Sequence, residues 1–139
     1  MRNPIHERYL TNEIMTADPL KLVCILYRAA IELTAAARLD LRAGAIRARS
    51  RHISRVHAIL TELSQSLDPS HPAVSRPLAD LYGYMQRRLI EANSKQIEPP
   101  LEEVEKLLIT LLEGWQAASA TASHIAAPPS EYEPVSCSY

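Results

Sequence analysis

Phenylalanine is absent from the 139 residues, and glycine occurs only three times. A chain this short of both has little material for the aromatic strands and glycine turns of a β-sandwich, and the Leu, Ala and Ile that replace them favour helices. Cysteine is scarce as well. Cys24 lies inside a helical pattern and Cys137 near the end, so neither a disulfide framework nor a CxxC zinc site is available, and a cytosolic location is expected. No uninterrupted apolar run approaches the ~18 residues of a membrane span, and no basic segment followed by an apolar run opens the chain, which argues against membrane insertion and a signal peptide. An excess of one charge is also missing. Fifteen basic residues face sixteen acidic ones for a formal net charge of −1, which argues against nucleic acid or an anionic bilayer as the main partner.

What remains is helical punctuation and helical period. The segment "TADP" gives a start, with Asp18 as N-cap and Pro19 at the first helical position. From there Leu22, Val23, Leu26, Ala30, Leu33, Ala37 and Leu41 recur at three and four, and Gly44 stops the pattern. A second stripe runs Ile46, Ile53, Val56, Leu60, Leu63 and Leu67, closed by Asp68-Pro69. The third uses Val74, Leu78, Leu81, Met85, Leu89 and Ala92. Its start is placed at Ser75, because Pro77 fits only a first turn. Pro100, Glu102 and Glu103 announce a fourth helix with the stripe Leu101, Val104, Leu108, Leu111, Leu112 and Trp115. After Ala118 three prolines and no apolar period mark a tail. These readings predict an all-α protein, an antiparallel four-helix bundle with a flexible N-terminal arm (1–17), a bundle domain (18–120) and a disordered C-terminal tail (121–139).

Catalytic and metal motifs are missing in turn. The inward Glu-x-x-His pairs of a di-iron bundle do not occur, and neither does a P-loop, a dinucleotide turn or a nucleophile elbow. His52 and His57 stand about 140° apart on a helix and cannot share a metal. No cofactor is expected and no enzyme. His52 as a phosphoacceptor on helix two keeps a phosphotransfer or regulatory module as one alternative. The arginines of "IRARSRHISR" (Arg47, Arg49, Arg51 and Arg55) scatter over most of the helix circumference and read as a solvated face.

Counting at 100° per residue leaves apolar side chains that a single core stripe does not use. On helix one, Cys24, Ile31, Ala35 and Leu39 fall about 120° or more from the core direction, either because that helix is the most buried or because it carries a groove for another chain. A self-complementary patch on a purely structural, oligomerising bundle is the third reading. In "DLYGYMQRRLIEAN", Tyr82 points to the core and Tyr84 to a boundary. Gly83 and Ile90 share an outer face with Arg87.

The run from Tyr9 to Pro19, the Leu26-Tyr27 pair, Leu81-Tyr82-x-Tyr84 with Glu91-Ala92-Asn93, and the closing Trp115 together resemble the FliS family of flagellar export chaperones over about residues 9 to 118. The likeness departs at Arg28-Ala29, where the family usually has an acidic residue and glycine, and at "SHP", which replaces a glycine-rich turn before helix three. The resemblance implies a bundle that binds the disordered C-terminal segment of flagellin, prevents premature polymerisation and delivers it to the flagellar type III export apparatus, without catalysis. It implies an arm lying over an apolar groove until a client arrives, which makes Tyr9 and Ile14 candidate plug residues. Cys24, Tyr27, Ile31, Tyr82, Gly83, Tyr84, Ile90 and Asn93 complete the candidate partner-binding set. A homodimer in the client-free state fits the same faces.

Overall fold

The structure, a computed structural model, describes residues 19–126. Four helices account for nearly all of them: α1 (Pro19–Ala43), α2 (Ile46–Gln65), α3 (Pro72–Lys95) and α4 (Pro99–Ala126). Helix α1 packs against α2 and α4, and α3 packs against the same two, which closes an antiparallel four-helix bundle. The proposed arm, Asp18 and the end of the tail lie outside the described residues.

The turns follow from local chemistry. Gly44 takes φ +70°, and the amides of Gly44 and Ala45 donate to the carbonyls of Leu41 and Asp40 at 3.2 and 2.9 Å, a Schellman ending that satisfies the last carbonyls of α1. Gln96 ends α3 with φ 55°, a left-handed conformation unusual for a residue with a Cβ. Between α2 and α3, the Asp68 carboxylate accepts from both the amide and the hydroxyl of Ser70, which folds the proline-bearing turn.

Three boundaries differ from the sequence reading. Helix α3 starts at Pro72 and not Ser75, so Pro77 stands inside the helix; the amide it lacks removes only one bond near the end, while Val74 and Ser75 anchor on the His71 carbonyl. Helix α2 closes at Gln65, ahead of Asp68-Pro69. Helix α4 continues past Ala118 to Ala126 through a stretch of alanines, which hold helix without needing a core.

The core comprises Tyr27, Ala30 and Ala37 of α1, Ile53, Val56, Leu60 and Leu63 of α2, Tyr82, Met85, Leu89 and Ala92 of α3, and Leu101, Val104 and Leu108 of α4. Each large member contributes about 1.5–3 kcal/mol by leaving water. The expected stripes of α2, α3 and α4 supply most of it, although Ile46 and Val74 are exposed. Helix α1 is rotated from expectation. Its buried line is Cys24, Tyr27, Ala30, Thr34 and Ala37, so Cys24 faces inward and the larger Leu22, Val23, Leu26, Leu33 and Leu41 sit half-buried on the flanks. Small side chains along that line let α1 lie close between α2 and α4, and Thr34 satisfies its hydroxyl on the Ala30 carbonyl at 2.7 Å.

Candidate partner-binding surface

The bundle's two ends differ in chemistry. At the end where α1 stops and α4 begins, ion pairs lock the helices together. Arg38 reaches Glu98 and Glu105 at 2.8 and 2.7 Å, and Arg42 also binds Glu98. Hydrogen bonds from Arg42 and Arg38 hold the Glu98 carboxyl at about 2, well below the usual carboxylate range. On the neighbouring seam, Asp40 of α1 pairs with Nδ1 of His52 at 2.5 Å, so the imidazole of the alternative phosphotransfer reading is half-buried and engaged.

The other end is apolar and open. There the C-terminal turn of α2, the first turns of α3, the start of α1 and Trp115 of α4 diverge around a cavity of about 320 Å³. Pro19, Leu20, Val23, Leu63, Leu67, Val74, Leu78, Tyr82 and Trp115 line it, with few polar atoms among them. Behind it sits a polar relay inside the core. The Tyr27 and Tyr82 hydroxyls bond to each other, and Nε1 of Trp115 donates to the Tyr27 oxygen at 3.0 Å. Burial pushes the phenols of both tyrosines up, so they remain neutral donors and acceptors at physiological pH.

The sequence candidates fall into separate places. Tyr27 and Tyr82 meet across the bundle, with Tyr82 forming cavity wall. Cys24 is 5% exposed on the buried line of α1, and Ile31 packs half-buried against the core. Tyr84 turns to the α3–α4 seam, where its hydroxyl donates to Glu103 at 2.8 Å; Arg88 bonds the same carboxylate at 2.7 Å. Gly83 has ordinary room for a Cβ, which would meet only Arg87 at 3.5 Å, so the bundle itself does not demand glycine there. Ile90 is 57% exposed beside a groove between α2 and α3. Asn93 is engaged inside the bundle: its side-chain oxygen accepts from Arg49 at 2.9 Å and from Ser50 at 3.3 Å. Arg49 is therefore buried and not part of a solvated face, a correction caused by its position on the same side of α2 as Ile53 and Val56. Tyr9 and Ile14 lie outside the described residues.

The model of the family described as "Flagellar protein FliS" matches residues 1–122 of this sequence. The chain belongs to the FliS family. Over 112 residues it is 34% identical to the flagellar secretion chaperone FliS of Salmonella typhimurium, covering 79% of this chain and 83% of that protein. The FliSB protein of Pseudomonas aeruginosa, also a flagellar secretion chaperone, is 30% identical over 108 residues (77% of this chain, 86% of the relative). For FliS of Bacillus subtilis the identity is 26% over 118 residues, 85% of this chain and 87% of that one. The match runs through all four helices, so the all-α bundle is the family's scaffold here. Cavity lining from the first turns of α3 and from Trp115 is legible in the sequence only as core stripe, since a periodic pattern does not show where a bundle opens. No described helix is long and apolar enough to cross a membrane.

Proposed function

We propose that this FliS-family chain is a cytosolic flagellar secretion chaperone that binds the disordered C-terminal segment of flagellin, prevents its premature polymerisation and brings it to the flagellar export apparatus. The observation that carries this reading is the open apolar cavity lined by Leu67, Val74, Leu78 and Trp115. A disordered client loses conformational entropy on ordering, and only apolar burial on this scale, about 1.5–3 kcal/mol for each inserted large side chain, offsets it. Tyr82 gives the cavity a polar-tipped wall, and Tyr27, braced by Trp115, fixes that wall in place. Cys24, Ile31 and Asn93 act from behind by shaping the helices, while Tyr84 fastens α3 to α4 and Gly83 and Ile90 lie on the outer face of α3, away from the cavity. The cavity opens beside Pro19, where the segment that carries Tyr9 and Ile14 joins α1, and in this reading those two side chains compete with the client.

Calorimetric titration with a peptide of the flagellin C-terminal segment tests this. The full chain is expected to bind with a large negative heat-capacity change, the mark of apolar burial. Val74→Asp, at an exposed cavity position, is expected to weaken binding by about tenfold or more, since a carboxylate would be desolvated against the client. Tyr9→Ala with Ile14→Ala is expected to tighten it. Absence of any binding by the unaltered chain at micromolar concentrations overturns the reading.

A further inference from the structure

We propose that the outer face of α2, together with the groove it forms with α3, is a second docking surface, one that takes an acidic amphipathic helix of a partner protein. Three guanidiniums stand out on α2. Arg47, Arg51 and Arg55 follow one another at intervals of four, a drift of about 40° per step, and so form one stripe along the helix. All three are exposed, and none has an ion pair or hydrogen bond among the described residues. With Arg49 turned inward on Asn93, the scatter that the four arginines show in the sequence disappears, and the remaining three line up.

Several other cations of the molecule are matched to carboxylates. Arg38, Arg42 and Arg88 each bind carboxylates across a helix seam, and Lys95 and Lys106 are paired along their own helices. Residues 46–61 of α2 contain no acidic side chain at all. Like charges at four-residue spacing work against a helix, and nothing in the fold relieves them. A neutral total charge, moreover, means that the basic stripe is a local feature and not part of a broadly cationic surface.

Beside the stripe lies an apolar seat. Ile90 stands 57% exposed at a groove of about 300 Å³ whose other walls include Ile53, Ser54 and His57. Ser54 is within about 20° of Arg47 and 60° of Arg51 around α2, so these two arginines border the groove and Arg55 continues the stripe further round the helix. On the groove's far side Arg87 is exposed and without an ion pair among the described residues, one turn before Ile90. An apolar centre flanked by guanidiniums on both helices is complementary to a helix with a hydrophobic stripe and carboxylates on its shoulders. Nucleic acid fits less well, because no aromatic side chain is interleaved with the arginines for base stacking. The surface is also separate from the apolar cavity. Arg55 and Leu63, the α2 residue of the cavity wall, are ~12 Å apart along the helix at 1.5 Å per residue, so the two sites occupy different stretches of α2.

The test uses the full chain and a synthetic, fluorescently labelled amphipathic peptide with leucines on one face and glutamates along its flanks, read by anisotropy. A scrambled peptide of equal composition and a single-stranded oligonucleotide serve as competing probes. The proposal expects the ordered peptide to bind better than both, with affinity falling as salt rises. Replacing the three arginines together (R47Q, R51Q, R55Q) is expected to lower that affinity by about tenfold, as for three partly exposed ion pairs. Ile90→Asp is expected to lower it further, and Val74→Asp to leave it unchanged. The triple variant should melt no lower than the parent; a lower melting temperature would show that these arginines serve the fold and would overturn the proposal. Equal binding of the scrambled peptide, or stronger binding of the oligonucleotide, would overturn it as well.

Discussion

At the scale of single residues, the two tyrosines of "LYGY" separate by partner. Tyr82 closes a buried relay with Tyr27 and Trp115, whereas Tyr84 ties α3 to Glu103 on α4. The relay is asymmetric, because Tyr27 receives the Trp115 donor and also bonds Tyr82. Tyr27→Phe is therefore expected to leave a half-buried indole N–H and a buried hydroxyl without their partner, at a cost of about 1–3 kcal/mol. Tyr82→Phe spares the Trp115 bond and should cost only about 0.5–1.5 kcal/mol. Urea denaturation of both variants checks the order. Equal losses would mean that the relay is not organised around Tyr27. Because the relay stands behind the cavity wall, Tyr27→Phe should also weaken client binding, although Tyr27 does not itself line the cavity.

Helices show where a sequence can be read and where it cannot. The stripes of α2 and α4 and the inward Tyr82 follow from spacing, since period alone decides which residues of an amphipathic helix face one direction. The direction of α1 does not follow, because that helix is apolar nearly all round and the choice of buried line depends on its neighbours: small Ala30, Thr34 and Ala37 win the centre over bulkier leucines. The Arg49–Asn93 pairing is hidden in the sequence for a related reason. A charged and a polar residue read singly as solvent-facing or partner-facing, and only their meeting across the α2–α3 seam shows them to be a pair. Asn93→Ala is accordingly expected to destabilise the bundle by about 2–3 kcal/mol, by stranding a buried guanidinium that keeps no other side-chain acceptor. Chemical denaturation measures this. An unchanged midpoint, combined with weakened partner binding, would return Asn93 to the outer surface.

Across the whole molecule, polarity is graded along the bundle axis. One end is fastened by Arg38, Arg42, Glu98 and Glu105, and the other opens onto an apolar cavity framed by Pro19 and Trp115. Fastening one end lets the other stay open, since the helices there need not close on each other to keep the bundle intact. Such a division suits a chaperone whose client must enter and leave. The fastened end has a pH signature. Glu98 is depressed to about 2 from an ordinary 4.5 by Arg42 and Arg38, so its contribution to stability is fully present above pH 4.5 and is lost as the pH falls toward 2. Melting temperature followed from pH 6 to pH 2 should therefore drop less steeply for Glu98→Gln than for the parent chain, the two curves converging at the acid end because both then lack the carboxylate. Parallel curves over that range would show that the ion-paired end does not set acid stability, and the asymmetry between the two ends would then lie in the apolar packing alone.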